Sequence, residues 1–134
     1  MASLVWNYNG SRFFFRQAIG YQGFVYEIEN LKTGRMYVGR KWFWHKKRDF
    51  SGKRYIVESD WKTYYGSSKP LLADLKKQGP LEFERRILRL CETKSECAYF
   101  EMEEIIKRRA LLRDDYYNKY LGGRVYASRL KHIR

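Results

Sequence analysis

Two tyrosines, Tyr26 and Tyr37, stand eleven positions apart on either side of the polar segment Leu31, Lys32, Thr33 and Gly34. Residues from Phe24 to Arg40 are rich in β-forming types, and a four-residue segment of this kind closes a hairpin between two antiparallel strands. An even loop sets Asn30 opposite Arg35, Tyr26 opposite Gly39 and Tyr37 opposite Ile28. Side chains alternate along a strand, so both tyrosines project from one face as diagonal neighbours roughly 7–8 Å apart. Two phenols at that separation can hold one phosphate or one ordered water, and Gly39 leaves room beside the Tyr26 ring. Taken by itself, the same pair also serves as ordinary packing on a half-buried sheet.

The hairpin does not stand alone. Phe24, Val25, Tyr26 and then Tyr37, Val38, Gly39 resemble the two signatures of the GIY-YIG nucleases. Phe24 stands where the first signature has a glycine, with Gly23 just before it, and Ile28, Asn30 and Gly34 match the intervening spacing. The likeness continues through Tyr65, Gly66, Ser67 and Ser68, a helix, a strand through Phe83 and Ile87, a glutamate-bearing helix, and the pair Tyr117, Asn118. This is the order found in small phage-encoded members, including homing-type endonucleases, and it spans about Gly23 to Gly123. The resemblance implies a small α/β (α+β) domain with a short antiparallel three-stranded sheet flanked by helices. It implies a phage-encoded endonuclease that hydrolyses DNA phosphodiester bonds with Mg²⁺ or Mn²⁺ bound and leaves a 5′-phosphate.

In that family a glutamate on the long helix binds the metal, and here Glu101, Glu103 and Glu104 compete for the role. The apolar stripe of the helix is Ala98, Met102, Ile105, Ile106 and Leu112. At about 100° per residue, Glu101 falls roughly 40° from Ile105 and about 60° from Ala98, at the rim of that stripe. Glu103 falls on the opposite face and Glu104 well to the side, so Glu101 is the expected ligand. One carboxylate, with phosphate oxygens and water, suffices for a hard cation such as Mg²⁺. The resemblance also implies a supporting role for Asn118 near the scissile phosphate. It implies further an arginine soon after the second tyrosine motif, whose guanidinium neutralises charge growing on the phosphate. Arg48 is the first choice, with Arg40, Lys41 and Lys47 as alternatives; His45 and Tyr65 are further candidates. Tyr26, with Tyr37, would position or deprotonate the attacking water. A free tyrosine titrates near 10, so deprotonation needs positive charge or metal beside it.

The remaining sequence must supply the elements that hold these groups. Ser68 as cap and Pro70 in the first turn predict a helix from Lys69 to Gln78, ended by Gly79 and Pro80. Leu81 to Cys91 reads as a strand with one basic face from Arg85, Arg86 and Arg89, and Ser95 to about Arg113 as a long amphipathic helix. Between Arg40 and Arg54 lie seven Lys or Arg residues against the lone Asp49, with Trp42, Phe43 and Trp44 interleaved. Ser51 and Gly52 interrupt any helix there, and the stretch reads as helix or loop. Residues 1–21, with Arg12, Phe13, Phe14, Phe15 and Arg16, read as an N-terminal extension that packs on the core. The nuclease-like domain is expected over 22–124, and a basic tail with Arg129, Lys131, His132 and Arg134 over 125–134.

A chain of 134 residues supports one core. Its 28 Lys and Arg against 15 Asp and Glu leave a net charge of +13, which selects polyanions as partners. DNA contact is expected from Arg40, Lys41, Lys46, Lys47, Lys53, Arg54 and Ser67. No run reaches the roughly 20 apolar residues a membrane span needs, and the N-terminus does not read as a signal peptide, so a cytoplasmic protein is expected. Cys91 and Cys97 have neither disulfide nor zinc spacing and are expected as buried, reduced thiols. A homodimer would place two sites on opposite DNA strands. The rival readings are a basic nucleic-acid-binding module without catalysis and a degenerate nuclease fold with a regulatory role.

Overall fold

The computed structural model describes residues 4–122. In chain order its elements are β1 (Trp6–Tyr8), β2 (Ser11–Arg12), β3 (Gly23–Asn30), β4 (Met36–Trp42), β5 (Trp44–Arg48), β6 (Arg54–Glu58), α1 (Lys69–Gln78), β7 (Phe83–Cys91) and α2 (Lys94–Lys107), with short 3₁₀ turns between them. The tyrosine hairpin forms in the expected register: Tyr26 pairs with Gly39 and Ile28 with Tyr37 across the antiparallel β3–β4 ladder. Its loop closes where turn chemistry places it. The Asn30 carboxamide oxygen accepts from the backbone of Lys32 and Thr33, and the Asn30 N–H donates to the Arg35 carbonyl.

The sheet is wider than the three strands expected. It has five, in the order β2-β1-β7-β3-β4, and β5 and β6 form a second, two-stranded sheet. The difference comes from the N-terminal segment. Trp6–Tyr8 is too short to show a period of its own, yet it pairs in parallel with β7 and so becomes part of the main sheet. That segment also fills the core with Trp6, Phe13 and Ala18. The basic stretch after Arg40, read as helix or loop, is the end of β4 followed by the β5–β6 hairpin.

Strand alternation divides the core in two. Phe24, Tyr26 and Ile28 of β3 face one layer with Trp6, Phe43, Trp61, Leu71 of α1 and Phe83, while Val25 and Val38 face the other with Cys91, Cys97 and Ile105 of α2. The two thiols are free and buried, as expected. A bulge in β7 preserves this division: Val25 pairs with Arg89 and Tyr26 with Ile87, leaving Leu88 as the extra residue.

Helix α1 keeps its expected bounds, with the Ser68 hydroxyl accepting from the Leu71 N–H. Helix α2 is shorter than expected. It ends at Lys107, and Arg109 takes a left-handed conformation (φ 54°) that turns the chain into a 3₁₀ turn at Ala110–Leu112. Leu112, beyond the helix end, consequently points to solvent, and Ile106, within the helix but beside the buried Ile105, is exposed as well instead of joining the apolar stripe. The expected single basic face of β7 is also corrected. Arg85 shares parity with Phe83 and Ile87 and turns into the core, whereas Arg86 lies on the other face among Glu27, Glu29 and Glu84. The basic tail expected over 125–134 lies outside the described residues.

Candidate active site

The site is built where β4, the edge strand of the sheet, meets helices from both layers. Tyr26 is 1% exposed, packed edge-on against Trp6 (5.2 Å between ring centroids) and Tyr64 (6.2 Å), and tilted against Tyr37 (6.2 Å). Its hydroxyl lies over Gly39. A β-carbon at that position would overlap the phenol oxygen and ring carbon of Tyr26 and stand 3.0 Å from Tyr37 Cε2. The missing side chain therefore lets the Tyr26 hydroxyl reach the edge of the sheet. Gly66 adds a second clearance in a left-handed conformation (φ 87°), where a β-carbon would stand 3.0 Å from the Tyr37 ring and 3.3 Å from the Tyr26 hydroxyl. Tyr37 is less buried than Tyr26, and its hydroxyl lies 3.4 Å from Ser67 Oγ.

Glu101 approaches from α2 on the other side of the same edge. Its Oε1 accepts from the Arg40 guanidinium at 2.5 Å. Of the three competing glutamates only Glu101 lines the cavity: Glu103 is exposed, and Glu104 pairs with Arg108 at 3.0 Å. Tyr26, Tyr37, Arg40, Tyr64, Ser67, Glu101, Tyr117 and Asn118 line one cavity of about 570 Å³, together with Lys69, Pro70, Lys119 and Tyr120. Arg40, Lys69 and Lys119 against Glu101 give this lining a positive balance, and Ser68–Pro70 present the first turn of α1 to it.

Asn118 is a positioning group. Its Oδ1 accepts from the Val38 N–H at 3.0 Å and its Nδ2 donates to the Val38 carbonyl at 2.8 Å. The carboxamide thus supplies the edge of β4 with the partner that another strand would give. Tyr117 donates to Asp74 at 2.7 Å and accepts from Asn30 Nδ2 at 3.0 Å, which ties the chain after α2 to both α1 and the hairpin.

Burial raises the Tyr26 phenol well above its ordinary value, and Tyr37, Tyr64 and Glu101 push it in the same direction. Tyr37 is raised as well, by burial, with its Ser67 hydrogen bond opposing. Burial and the neighbouring phenols and carboxylate therefore favour the protonated form at both positions. Glu101 is raised by burial, against the opposing effect of Arg40. Among the described residues no three His, Cys, Asp or Glu side chains gather as a metal cluster. The cavity instead offers a single carboxylate beside the Tyr37 and Ser67 hydroxyls, an all-oxygen donor set that fits a hard cation completed by phosphate and water.

The fold thus brings together Tyr26, Tyr37, Arg40, Ser67, Glu101 and Asn118. It does not bring Arg48, which is exposed at the end of β5, nor Lys46, Lys47, Lys53 and Arg54, which belong to the same outlying hairpin. Lys41 lies behind the wall, paired with Asp60 at 2.5 Å and 3.9 Å above the Tyr64 ring. His45 is exposed on β5, and Tyr65 packs under the Arg85 guanidinium at 4.1 Å. Sequence reasoning missed Tyr64, Lys69 and Lys119 as site residues. Tyr64 sits in an irregular segment with no period to read, and Arg85, buried without a carboxylate among the described residues, fixes that segment by donating to the Lys62 and Tyr64 carbonyls.

Comparison with known proteins places the chain in a family. The family described as "Putative endonuclease segE, GIY-YIG domain" matches residues 6–121. The "Putative endonuclease segE" of Enterobacteria phage T4 is 36% identical over 100 residues, covering 75% of this chain and 42% of the phage protein. The chain therefore spans less than half the length of that relative. No solved structure matches. No helix among the described residues is long and apolar enough to cross a membrane.

Proposed function

The chain belongs to the GIY-YIG family, and on that premise we propose that it hydrolyses DNA phosphodiester bonds in the cavity at the β4 edge. One observation carries the reading: Tyr26 and Tyr37 from one layer and Glu101 from the other meet in a single positively lined cavity. A backbone phosphate suits the basic lining formed by Arg40, Lys69, Lys119 and the first turn of α1. Glu101 would hold a divalent cation, Mg²⁺ or Mn²⁺, which when bound supplies Lewis-acid charge to the phosphate and the departing 3′ oxygen.

The other roles follow from the chain's own atoms. Tyr37, the more accessible phenol, orients the attacking water or a phosphate oxygen together with Ser67. Tyr26 stands behind it and fixes its position. Burial favours the protonated form of both phenols, so their part is to orient water by hydrogen bonding, and deprotonation by either would need the charge of a cation held on Glu101. Arg40 exchanges its Glu101 contact for the phosphate and neutralises the charge that grows there. It takes the role first considered for Arg48, on the ground that Arg40 lines the cavity.

Supercoiled plasmid, incubated with the protein and Mg²⁺ or Mn²⁺ or with chelator, tests this directly. Nicking or linearisation is expected only with metal and is expected to disappear in Glu101→Ala. Tight plasmid binding with no cleavage under any of these conditions would replace the enzyme with a binding protein on a nuclease fold.

A further inference from the structure

Strands β5 and β6 pair only with each other, in register Lys46–Ile56, Lys47–Tyr55 and Arg48–Arg54. The base of this ribbon is fixed. Trp44 Nε1 donates to the Tyr21 carbonyl at 2.8 Å, Trp61 Nε1 donates to Glu58 at 2.7 Å, and the Ser59 N–H donates to the Phe43 carbonyl at 2.8 Å. Beyond the base, every residue from His45 to Ile56 is exposed. The ribbon is thus a rigidly rooted arm with both faces in solvent.

Its chemistry is that of a polyanion contact. Lys46, Lys47, Arg48, Lys53 and Arg54 make no ion pair among the described residues. The acidic residue at the tip is consumed internally: Asp49 Oδ1 accepts from the backbone of Ser51 and Lys53 and from the Ser51 hydroxyl. That turn presents Phe50 at 106% exposure, and Ile56 is 63% exposed on the face it shares with Lys46. Phe50 and Ile56 thus stand as the apolar groups that a partner of the ribbon would meet beside its cations.

We propose that the β5–β6 ribbon enters the major groove of duplex DNA and seats the nuclease cavity on its substrate, a reading that rests on the proposed hydrolysis of DNA. Dimensions favour that groove. Two strands roughly 4.8 Å apart carry side chains to a width on the order of 10 Å, which matches a major groove of about 12 Å and not a minor groove of about 6 Å. The cations reach phosphates along the groove walls and guanine O6 and N7 on its floor, and Phe50 and Ile56 meet thymine methyl groups there. A-form RNA presents a deep, narrow major groove that excludes such an arm.

The test uses wild-type protein with chelator and a short DNA duplex, compared with the triple variant Lys46→Gln, Arg48→Gln, Arg54→Gln. The variant is expected to bind about 10–100-fold more weakly, with a salt dependence shallower by about 2–3 in slope, and to keep its unfolding midpoint. Dimethyl sulfate reports the groove, because it methylates guanine N7 in the major groove and adenine N3 in the minor. Protection at guanine N7 in the wild type, lost in the variant, is the expected result. Unchanged binding by the variant, protection confined to adenine N3, or equal affinity for duplex RNA overturns the ribbon assignment. A protein that protects guanine N7 and never cleaves plasmid keeps the ribbon assignment and removes the catalytic one; cleavage together with unchanged binding by the variant does the reverse.

Discussion

The two hairpins of this chain occupy adjacent stretches of sequence and solve opposite problems. In β3–β4 both faces are covered, with Phe24, Tyr26 and Ile28 in one core layer and Val25 and Val38 in the other. In β5–β6 neither face is covered beyond the base. Their cations differ in the same way. Arg86 sits among Glu27, Glu29 and Glu84, Arg108 bridges Glu27 and Glu104, and Arg40 holds Glu101, whereas the five cations of the ribbon face solvent. The net charge of the chain is therefore not a uniform coat. Within the body, Arg40, Arg86 and Arg108 pair to build the sheet and the cavity wall; on the ribbon all five cations are left available to a partner.

The largest expected effect separates the arginines of the two hairpins. Arg40→Gln is expected to lower the cleavage rate at saturating protein by about 10²–10³-fold, the scale of losing one aimed electrostatic contact. Arg48→Gln is expected to weaken DNA binding several-fold while the saturated rate stays within about threefold of wild type. Measuring single-turnover rates against protein concentration for both variants distinguishes rate from affinity. A rate defect in Arg48→Gln with none in Arg40→Gln would return the cationic role to the ribbon.

A glycine in each hairpin sharpens the contrast on stability. Gly39→Ala would drive a β-carbon into the Tyr26 phenol, whose ring is already packed against Trp6, Tyr37 and Tyr64. Urea unfolding should show a loss of about 1–3 kcal/mol, the usual cost of overpacking, and cleavage should fall with it. Gly52 sits in the ribbon turn with a positive φ of 86°, and a β-carbon added there would meet nothing within 4 Å. Gly52→Ala should therefore cost only backbone strain, about 1 kcal/mol, with the metal-dependent cleavage retained. Equal losses from both would mean that the Tyr26 hydroxyl does not depend on the bare edge of β4.

The same contrast explains what could be read from the sequence. Turn length and strand parity fixed the register of β3–β4, because a slip of one residue would have turned Tyr26 and Phe24 to the wrong face. Helical geometry separated Glu101 from Glu103 for a similar reason: one side of α2 is buried. The ribbon has no buried side, so its residues carry no period, and Ser51 and Gly52, which interrupt any helix, leave helix and loop both open although they form a hairpin turn. Parallel pairing of Trp6–Tyr8 with β7 joins segments far apart in sequence and left no local mark. Arg85 is the instructive case. Its parity with Phe83 and Ile87 already placed it in the core, but a cation there is an exception to the usual rule, and only its carbonyl partners explain it. Tyr64 entered the cavity through that same anchoring.

Acid sensitivity is the next and smaller comparison. Burial works against ionised Glu27, but its bonds to Arg108 and Arg86 prevail and hold the carboxyl below the ordinary carboxylate range. The stability it contributes is present above the unfolded value and is lost as pH falls through the lower folded one. Glu101, raised by burial, works the other way: stability declines as pH rises from its unfolded value through its folded value. Glu27→Gln is expected to cost about 1 kcal/mol at neutral pH and to flatten the acid limb below about pH 4, while Glu101→Gln removes the opposing slope. Asp49, lowered by the Ser51 hydrogen bond but fully exposed on the ribbon, should leave that limb nearly unchanged as Asp49→Asn. A matching acid shift in Asp49→Asn would show that the ribbon turn unfolds together with the body.

Phe50 provides the smallest expected effect and the most direct test of the ribbon's independence. A large aromatic side chain normally destabilises a domain by several kcal/mol when truncated, because its removal empties part of a core. Phe50 has no core around it, being fully exposed on a turn whose geometry Asp49 and Gly52 already set. Phe50→Ser should therefore move the urea unfolding free energy by no more than about 0.5 kcal/mol, within the range of ordinary surface changes. Against that, Phe24→Ser in the buried hairpin should prevent stable folding. A loss above about 1 kcal/mol in Phe50→Ser would place the ribbon tip against the body in solution and make its cations part of the fold. A neutral result leaves DNA contact as the remaining use for an exposed phenyl ring between unpaired lysines and arginines.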